Sequence, residues 1–537
     1  MMRPHGLTVS EVHATQRGHG GIVTAPHSLA SQSGLDVLRD GGTAVEACVA
    51  IAATLAVVYP HMTGIGGDGF WLIHDPDGSI HAIDACGAAA SAADLAFYDG
   101  LSAIPWRGPM AANTMAGTIS GWQRALDGDE GTLSLGRLLR DAIDLAQNGV
   151  RITQGGAAIA TAKHAELSVQ PGAYASIFEP NGRPLRQNEL LTQPALAKTL
   201  AQLAHDGLES FYQGELGQRI ASDLQKLGSP IRHEDLQRHS ATEPKPLQAR
   251  VSGARLFNTM PPTQGLASLL ILALYDRLPQ TDAETFQHLH GLIEATKQAF
   301  LVRDRIVGDL AYMSVSPQAI LDDQAGLEGM VNAIDPDRAL SWPRPSAHGD
   351  TTWFGAADSR GQVVSCIQST YFEFGSGIVL PQSGITWQNR GASFTLTSDG
   401  PNALKPGRKP FHTLNPALAI FDDGRVMAYG TMGGEGQPQT QAALFSRYAW
   451  HGVPLQEAID RPRWLLGRTW GEESTTLKLE SRFDPELVDQ LCAAGHDVEM
   501  VEPLTATMGH AGAVVRHPDG LLEGATDPRS DGSVAAC

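Results

Sequence analysis

Residues 350–370 read DTTWFGAADSRGQVVSCIQST, and the pairing of this stretch decides what is built around it. TTWFGAA and QVVSCIQST have the alternation and β-branched content of strands, and the DSRG between them is turn-forming. With Ser359 and Arg360 as a tight turn, Asp358 faces Gly361. Counting back along both strands then sets Thr351 opposite Gln368 and beside Ser369. A threonine placed there has two readings. It can serve the sheet alone, because β-branched side chains favour strands. Alternatively the chain is cut before Thr351, making it a new N-terminus whose own α-amine acts as base for its hydroxyl. The hairpin by itself leaves both open.

Immediately upstream, residues 335–349 (DPDRALSWPRPSAHG) are polar and Pro-containing, and read as an exposed loop of the kind where chains are cut. Residues 133–302 are mainly helical by apolar spacing, in LGRLLRDAIDLAQNG, PALAKTLAQLAHDG, GELGQRIASDLQKLG and ETFQHLHGLIEATKQAFLVRDR. The extended piece ARVSGARLFNTM interrupts them. Nearer the N-terminus, residues 27–41 form a helix ending at Gly41-Gly42. Thr43 then caps a second helix, with Glu46 completing a capping box. That helix, TAVEACVAIAATLAVVY, is apolar nearly all round and must be buried.

Gly64, Gly66 and Gly69 of GIGGDGF fit G-x-G-x-x-G, but a dinucleotide fingerprint needs a strand before it and a helix after it. Here the order is reversed, so close backbone packing is the expectation. His233 and His239 of HEDLQRH lack the helical spacing of a zinc pair and are expected at the surface. Beyond Thr351 the pattern changes to strands and turns. Helices QTQAALFSRYAWHG and DPELVDQLCAAGH then alternate with strands LKLE, VEMVE and AGAVVRHPDG. Hairpin-paired strands with helices over them predict a layered α/β sandwich.

The chain's 537 residues can bury a large core, and 42% hydrophobic with 18% charged residues is a globular composition. A formal net charge of −19 argues against nucleic acid as a partner. Cys48, Cys86, Cys366, Cys492 and Cys537 are scattered and odd in number, which is neither a disulfide framework nor a zinc spacing. The stretch MMRPHGLTVSEVHATQRGHGG has no apolar h-region, and the longest apolar run, 47–59, is too short to span a bilayer. No membrane association is expected, and the cytoplasm is the expected compartment.

With these pieces laid out, the chain resembles the γ-glutamyltranspeptidase family of N-terminal-nucleophile hydrolases. The resemblance rests on LASQSGLDVLRDGGTAVEACVA, GIGGDGFW, FYQGE, TMPPTQG, EATKQAF, GDTTWF, FGSGI, LNPALA, GTMGGEGQPQT and ATDPRS, in that order. It implies an α+β fold, a four-layer αββα sandwich with a mainly helical part in the N-terminal chain. It also implies a zymogen that cuts itself between Asp350 and Thr351. The products are a large chain, 1–350, and a small chain, 351–537, which together form one fold as a heterodimer; further self-association stays open. Thr351 would be nucleophile and, through a freed amine of pKa about 7.7 to 8.0, base. Gly433 and Gly434 match the family's paired glycines whose N–H groups hold the oxyanion. Ser369 falls where a second threonine usually supports the nucleophile.

The substrate pocket departs from the family pattern. Cys86 stands where an arginine grips the γ-glutamyl α-carboxylate, and a thiol offers neither charge nor fork. Tyr371 replaces an asparagine, Arg390 a glutamine or glutamate, and Ser393 the aspartate that binds the α-ammonium. His412 and Thr413 fall on paired serines. Such a pocket favours an acid without an α-amine. Segments IQSTYFEFGSG, WQNRGASF and PFHTLNP look most like the oxamate amidohydrolase subgroup. The resemblance therefore implies hydrolysis of a small acid amide, such as oxamate to oxalate and ammonia, without metal or organic cofactor. Arg390 is either the carboxylate partner or part of a structural ion pair. Competing readings are γ-glutamyl transfer or glutathione hydrolysis, glutaryl-cephalosporin acylase activity, and an unprocessed binding protein.

Overall fold

The central strands of this protein are buried on both faces, and a two-sided burial requires cover on two sides. The computed structural model describes residues 14–279, 281–342, 350–467 and 475–537, with Asp350 in its backbone only. Residues 1–13, including most of the stretch searched for a signal, and residues 343–349 of the loop before Thr351 lie outside the described residues.

Thirteen strands build two antiparallel sheets. They are β1 (Gln16–Gly18), β2 (Gly21–Ala25), β3 (Asp68–His74), β4 (Ile80–Ala85), β5 (Leu247–Val251), β6 (Ala254–Asn258) and β7 (Asp350–Asp358). The rest are β8 (Val363–Tyr371), β9 (Ala417–Phe421), β10 (Val426–Thr431), β11 (Ala511–Arg516), β12 (Leu522–Thr526) and β13 (Ser533–Ala536). One sheet runs β13-β2-β7-β8-β3-β4, the other β1-β12-β11-β10-β9-β6-β5. Alternation along β7 and β8 assigns the layers. Trp353, Ala357, Val363 and Ile367 pack between the sheets with Phe70, Leu418 and Val514. Phe354, Ala356, Val364 and Cys366 point the other way, into the helical layer.

Helices close both outer faces. On the six-stranded sheet lie α1 (Ser28–Arg39) and α2 (Ala44–Val58). On the seven-stranded sheet lie α3 (Gly265–Tyr275), α4 (Phe286–Ile306) and α5 (Gln437–Phe445). The result is the expected αββα sandwich. Every residue of α2 is buried, and Thr43 and Glu46 form the expected capping box. The remaining predicted helices are present as Arg140–Asn148, Pro194–Asp206 and Gly214–Leu227, and ARVSGARLFN is the β5–β6 hairpin. Among the described residues no helix is long and apolar enough to cross a membrane. All five cysteines are free thiols.

The central hairpin is paired one residue away from the expected register. Asp358 pairs with Gln362, and Gln368 faces Thr352, not Thr351. The turn is Ser359-Arg360-Gly361, because the Asp358 carboxylate gathers the N–H groups of Arg360, Gly361 and Gln362 at 2.9, 3.0 and 3.0 Å. Gly361, at φ +107°, supplies the left-handed residue this longer turn needs. At the far end the register shifts again, and Tyr371 pairs with Asp350. Thr351 therefore sits opposite a bulge formed by Ser369 and Thr370, a device that re-aims side chains.

Two smaller expectations are also adjusted. The tight backbone contacts of the glycine cluster fall on Gly66 and Gly67, where a Cβ would collide with the carbonyls of Thr386 and Ser369, rather than on Gly64 and Gly69. His233 and His239 are at the surface as expected, but only half-exposed. His239 lies 2.9 Å from the Ser120 hydroxyl and packs on Tyr212, because it borders a cleft between helical segments.

Candidate active site

Thr351 is fully buried at the start of β7. Its hydroxyl accepts a hydrogen bond from the Gln437 side-chain amide at 3.2 Å. Gln437 is the first residue of α5, and its other amide atom accepts from the Asn415 N–H at 3.2 Å. A backbone N–H can only donate, so the carbonyl end of Gln437 must face Asn415 and the NH2 end Thr351. Ser369, across the bulge, accepts from the Tyr371 N–H at 2.7 Å. That bond helps hold Tyr371 at φ +83°, a conformation costing roughly 1–3 kcal/mol for a non-glycine residue.

Gly433 and Gly434 form the turn between β10 and α5, both left-handed, at φ +119° and +51°. Among the described residues neither amide has an acceptor. The turn is held from behind. Gln264, just before α3, donates to the carbonyls of Gly434 and Thr413, each at 2.7 Å. Arg303 on α4 in turn donates to Gln264 at 3.1 Å and pairs with Glu435 at 2.8 Å. A rigid turn with two unused N–H groups is what a developing oxyanion requires.

Arg390 lies beside this frame with its guanidinium 3.7 Å over the Tyr371 ring. Its Nη1 donates to Thr413 Oγ1 at 3.1 Å, while Nε and Nη2 are buried without a partner. Among the described residues it makes no direct ion pair. Burial pulls its pKa down to about 10, against the charges of Tyr371, Asp68 and Cys86. The unpaired Nε and Nη2 form one edge of the guanidinium, the geometry that matches a carboxylate.

Next to Ser369 lies Asp68, its partner across β3 and β8. Its Oδ1 accepts from the N–H groups of Gly87 and Gly117 at 3.0 and 3.2 Å and from Gln388 at 2.9 Å. Its Oδ2 lies 3.1 Å from His412 Nε2. His412 Nδ1 accepts from the Leu414 N–H, so the neutral ring carries its proton on Nε2 and donates it to Asp68. Burial holds His412 well below its ordinary pKa and raises Asp68 to about 7. Cys86 is buried in the same group, and its thiol is pushed up by burial and by Asp68 and Asp84. The ligand-type atoms of Asp68, Cys86 and His412 lie within 4.8 Å of one another. The adjacent Arg390 cation and the raised thiol pKa make this a poor cation site.

The structure thus gathers Thr351, Ser369, Gly433, Gly434, Tyr371, Arg390, His412, Thr413 and Cys86 around one buried frame. Ser393 contributes nothing comparable; its hydroxyl donates to the Phe411 carbonyl at 3.3 Å. Asp68, Gln264, Arg303 and Gln437 are the residues that sequence reasoning missed. All except Arg303 lie inside motifs already singled out, GIGGDGFW, TMPPTQG and GTMGGEGQPQT.

An αββα sandwich with a buried threonine opening a central strand, beside two unused amides, defines an N-terminal-nucleophile hydrolase. The chain belongs to the γ-glutamyltranspeptidase family, whose sequence profile matches residues 30–537. It is an enzyme of the amidohydrolase and transpeptidase kind, in a family made as self-processing proenzymes. It is 52% identical to an oxamate amidohydrolase proenzyme of Klebsiella pneumoniae, over 98% of this chain and 100% of that protein. It is 38% identical to a glutathione hydrolase-like proenzyme of Bacillus subtilis, over 95% and 97%. A cephalosporin acylase from Bacillus halodurans superposes with a TM-score of 0.91 at 31% identity, covering 100% of this chain and 99% of that one.

Proposed function

We propose that this protein cuts itself between Asp350 and Thr351 and then hydrolyses the amide of a small acid, of which oxamate is the best candidate. The observation that carries the reading is the buried, unpaired Nε/Nη2 edge of Arg390. An unpaired buried guanidinium is costly unless a ligand anion completes it.

In maturation, the Thr351 hydroxyl attacks the Asp350 carbonyl carbon and the peptide C–N bond breaks, leaving an ester and a free α-amine. Water then hydrolyses the ester to the Asp350 carboxylate and restores the hydroxyl. Chains 1–350 and 351–537 stay together as a heterodimer. In turnover, the α-amine takes the hydroxyl proton as Thr351 attacks the amide carbon. The oxyanion rests on the Gly433 and Gly434 amides, and Arg390 with Thr413 holds the carboxylate. The proton passes to the leaving nitrogen, ammonia departs, and water resolves the acyl-enzyme through the same base. No metal or organic cofactor enters these steps. Five free thiols fit a reducing compartment, so we take the cytoplasm as its location.

The 52% identity to an oxamate amidohydrolase proenzyme supports the acyl group chosen. The structural likeness to a cephalosporin acylase supports a second reading, a glutaryl side chain on the same arginine. γ-Glutamyl transfer is disfavoured, because Cys86 and Ser393 supply no clamp for an α-amino acid. The test is ammonia release from oxamate, a glutaryl amide and a γ-glutamyl amide, with wild type and Thr351→Ala. Oxamate turnover lost in the variant supports the reading. Faster γ-glutamyl transfer to a dipeptide overturns it.

A further inference from the structure

The motif EATKQAF, residues 294–300, contributes nothing to the pocket itself, yet it contains a fully buried ion pair. On α4, Lys297 Nζ lies 2.7 Å from Glu294 Oε1, with the two side chains 2% and 1% exposed. Such a pair gains little stability over well-packed apolar residues, so stability alone does not account for it.

Both members reach the same residue of the chain. Lys297 Nζ donates to the Leu340 carbonyl at 2.7 Å, and the Leu340 N–H donates to Glu294 Oε2 at 3.1 Å. Neighbouring bonds extend the grip. The Ala339 N–H donates to the Ala494 carbonyl at 2.8 Å, and His290 Nε2, also on α4, lies 2.8 Å from the Asp335 carbonyl. His290 Nδ1 lies 2.9 Å from His496 Nε2. Because the Asp335 carbonyl can only accept, His290 carries its proton on Nε2 and takes the His496 proton on Nδ1. His290, Glu294 and His496 are close enough together to be considered as metal ligands. His290 Nδ1 and both Glu294 oxygens are engaged in these bonds and with Lys297, whose own cation sits in the group, so a metal ion is disfavoured there.

Residues 335–340 are thus fixed, backbone first, ten positions before Asp350. The same helix carries Arg303, which braces Gln264 and Glu435 behind Gly434. One rigid element therefore holds both the chain upstream of the scissile bond and the turn that receives its oxyanion.

We propose that Glu294 and Lys297 are positioning residues for maturation: a backbone clamp on Leu340 that sets the approach of the Asp350–Thr351 bond and retains the large chain's new end after cleavage. This rests on the self-cleavage reading above. Attack needs the hydroxyl within about 3–3.5 Å of the carbonyl carbon in a set orientation, and an anchor on each side of the bond supplies it. Across the bond itself the anchor is β7, where Asp350 pairs with Tyr371. Further upstream it is Leu340.

The test is the double variant Glu294→Gln/Lys297→Met in the full-length chain, which removes the clamp without leaving a buried unpaired charge. Conversion of intact chain to two fragments is followed by denaturing electrophoresis, with melting temperature and with turnover per cleaved threonine measured on the mature fraction. The clamp predicts cleavage slowed about tenfold or more, the factor that one lost charge-assisted hydrogen bond carries. It also predicts a wild-type-like melting temperature and unchanged turnover per mature site. Cleavage at the wild-type rate overturns the clamp alone. Cleavage, melting and turnover all falling together also overturn it, since the pair is then only structural. Wild type remaining intact overturns the self-cleavage reading and the clamp with it.

Discussion

Gln437 holds the hydroxyl of Thr351 across 3.2 Å, and Asn415 dictates which end of the Gln437 amide does so. The bond ties the proposed nucleophile to the helix that starts from the Gly433-Gly434 turn. Gln437→Leu keeps the volume and removes both bonds. We expect self-cleavage and turnover to fall about five- to tenfold, the value of one neutral hydrogen bond. The orphaned Asn415 N–H should cost a further 1–3 kcal/mol, roughly, in stability. A melting curve with a single-turnover rate checks both.

Arg390 offers two unpaired N–H groups on one edge. If each makes a charge-assisted bond worth about 1.5–3 kcal/mol, Arg390→Met lowers kcat/KM for an acid amide by a hundredfold or more. Arg390→Lys recovers only part, since an ammonium has no edge to match the carboxylate. Thermal stability should hold, because the variant removes a buried cation that has no counter-ion in direct contact. Equal kcat/KM in wild type and Arg390→Met would remove Arg390 from substrate binding.

Asp68 sets an expected pH dependence. Burial raises its pKa from 3.8 to about 7, against hydrogen bonds from Gly87, Gln388 and Gly117 and the charge of Arg390. The folded protein therefore keeps a proton that the unfolded chain has already lost. Its contribution to stability is most favourable at the acid end and declines as pH rises from about 4 to about 7. Ionised Asp68 also competes for the Arg390 charge. KM for an acid amide is expected to rise as pH passes through about 7, and Asp68→Asn to flatten that rise. A pH series of KM in both proteins decides it.

Gly433 sits at φ +119°, a conformation that a side chain resists. Gly433→Ala should turn the peptide and misdirect its N–H. Loss of one oxyanion donor lowers kcat by about a hundred- to a thousandfold, with KM little changed. Because both reactions would use the same turn, the variant should also accumulate as intact chain. Normal processing with reduced turnover would separate the two roles.

The layers of the fold were legible because burial writes itself into local pattern. α2 reads as a fully buried helix from its composition and capping box, and β7 and β8 read as strands from their branched residues. The hairpin register was not legible. It turns on one Asp358 carboxylate gathering three N–H groups, and the two-residue count missed it by one position. His239 reads as an exposed polar residue because its partners, Ser120 and Tyr212, are more than a hundred and about thirty residues away respectively.

By itself, the sequence determined which residue types stand at the proposed nucleophile, the glycine turn and the proposed substrate site, since those follow from motif and substitution. Only the tertiary structure decided what each can do there. Whether Arg390 is an ion-pair member or an open carboxylate site depends on what lies around its guanidinium, and Asp68, Tyr371 and Thr413 reach it from three separate stretches of chain. Orientation, protonation and unpaired hydrogen-bonding capacity depend on all the neighbours of a group at once. Those neighbours are set by packing, not by position along the chain.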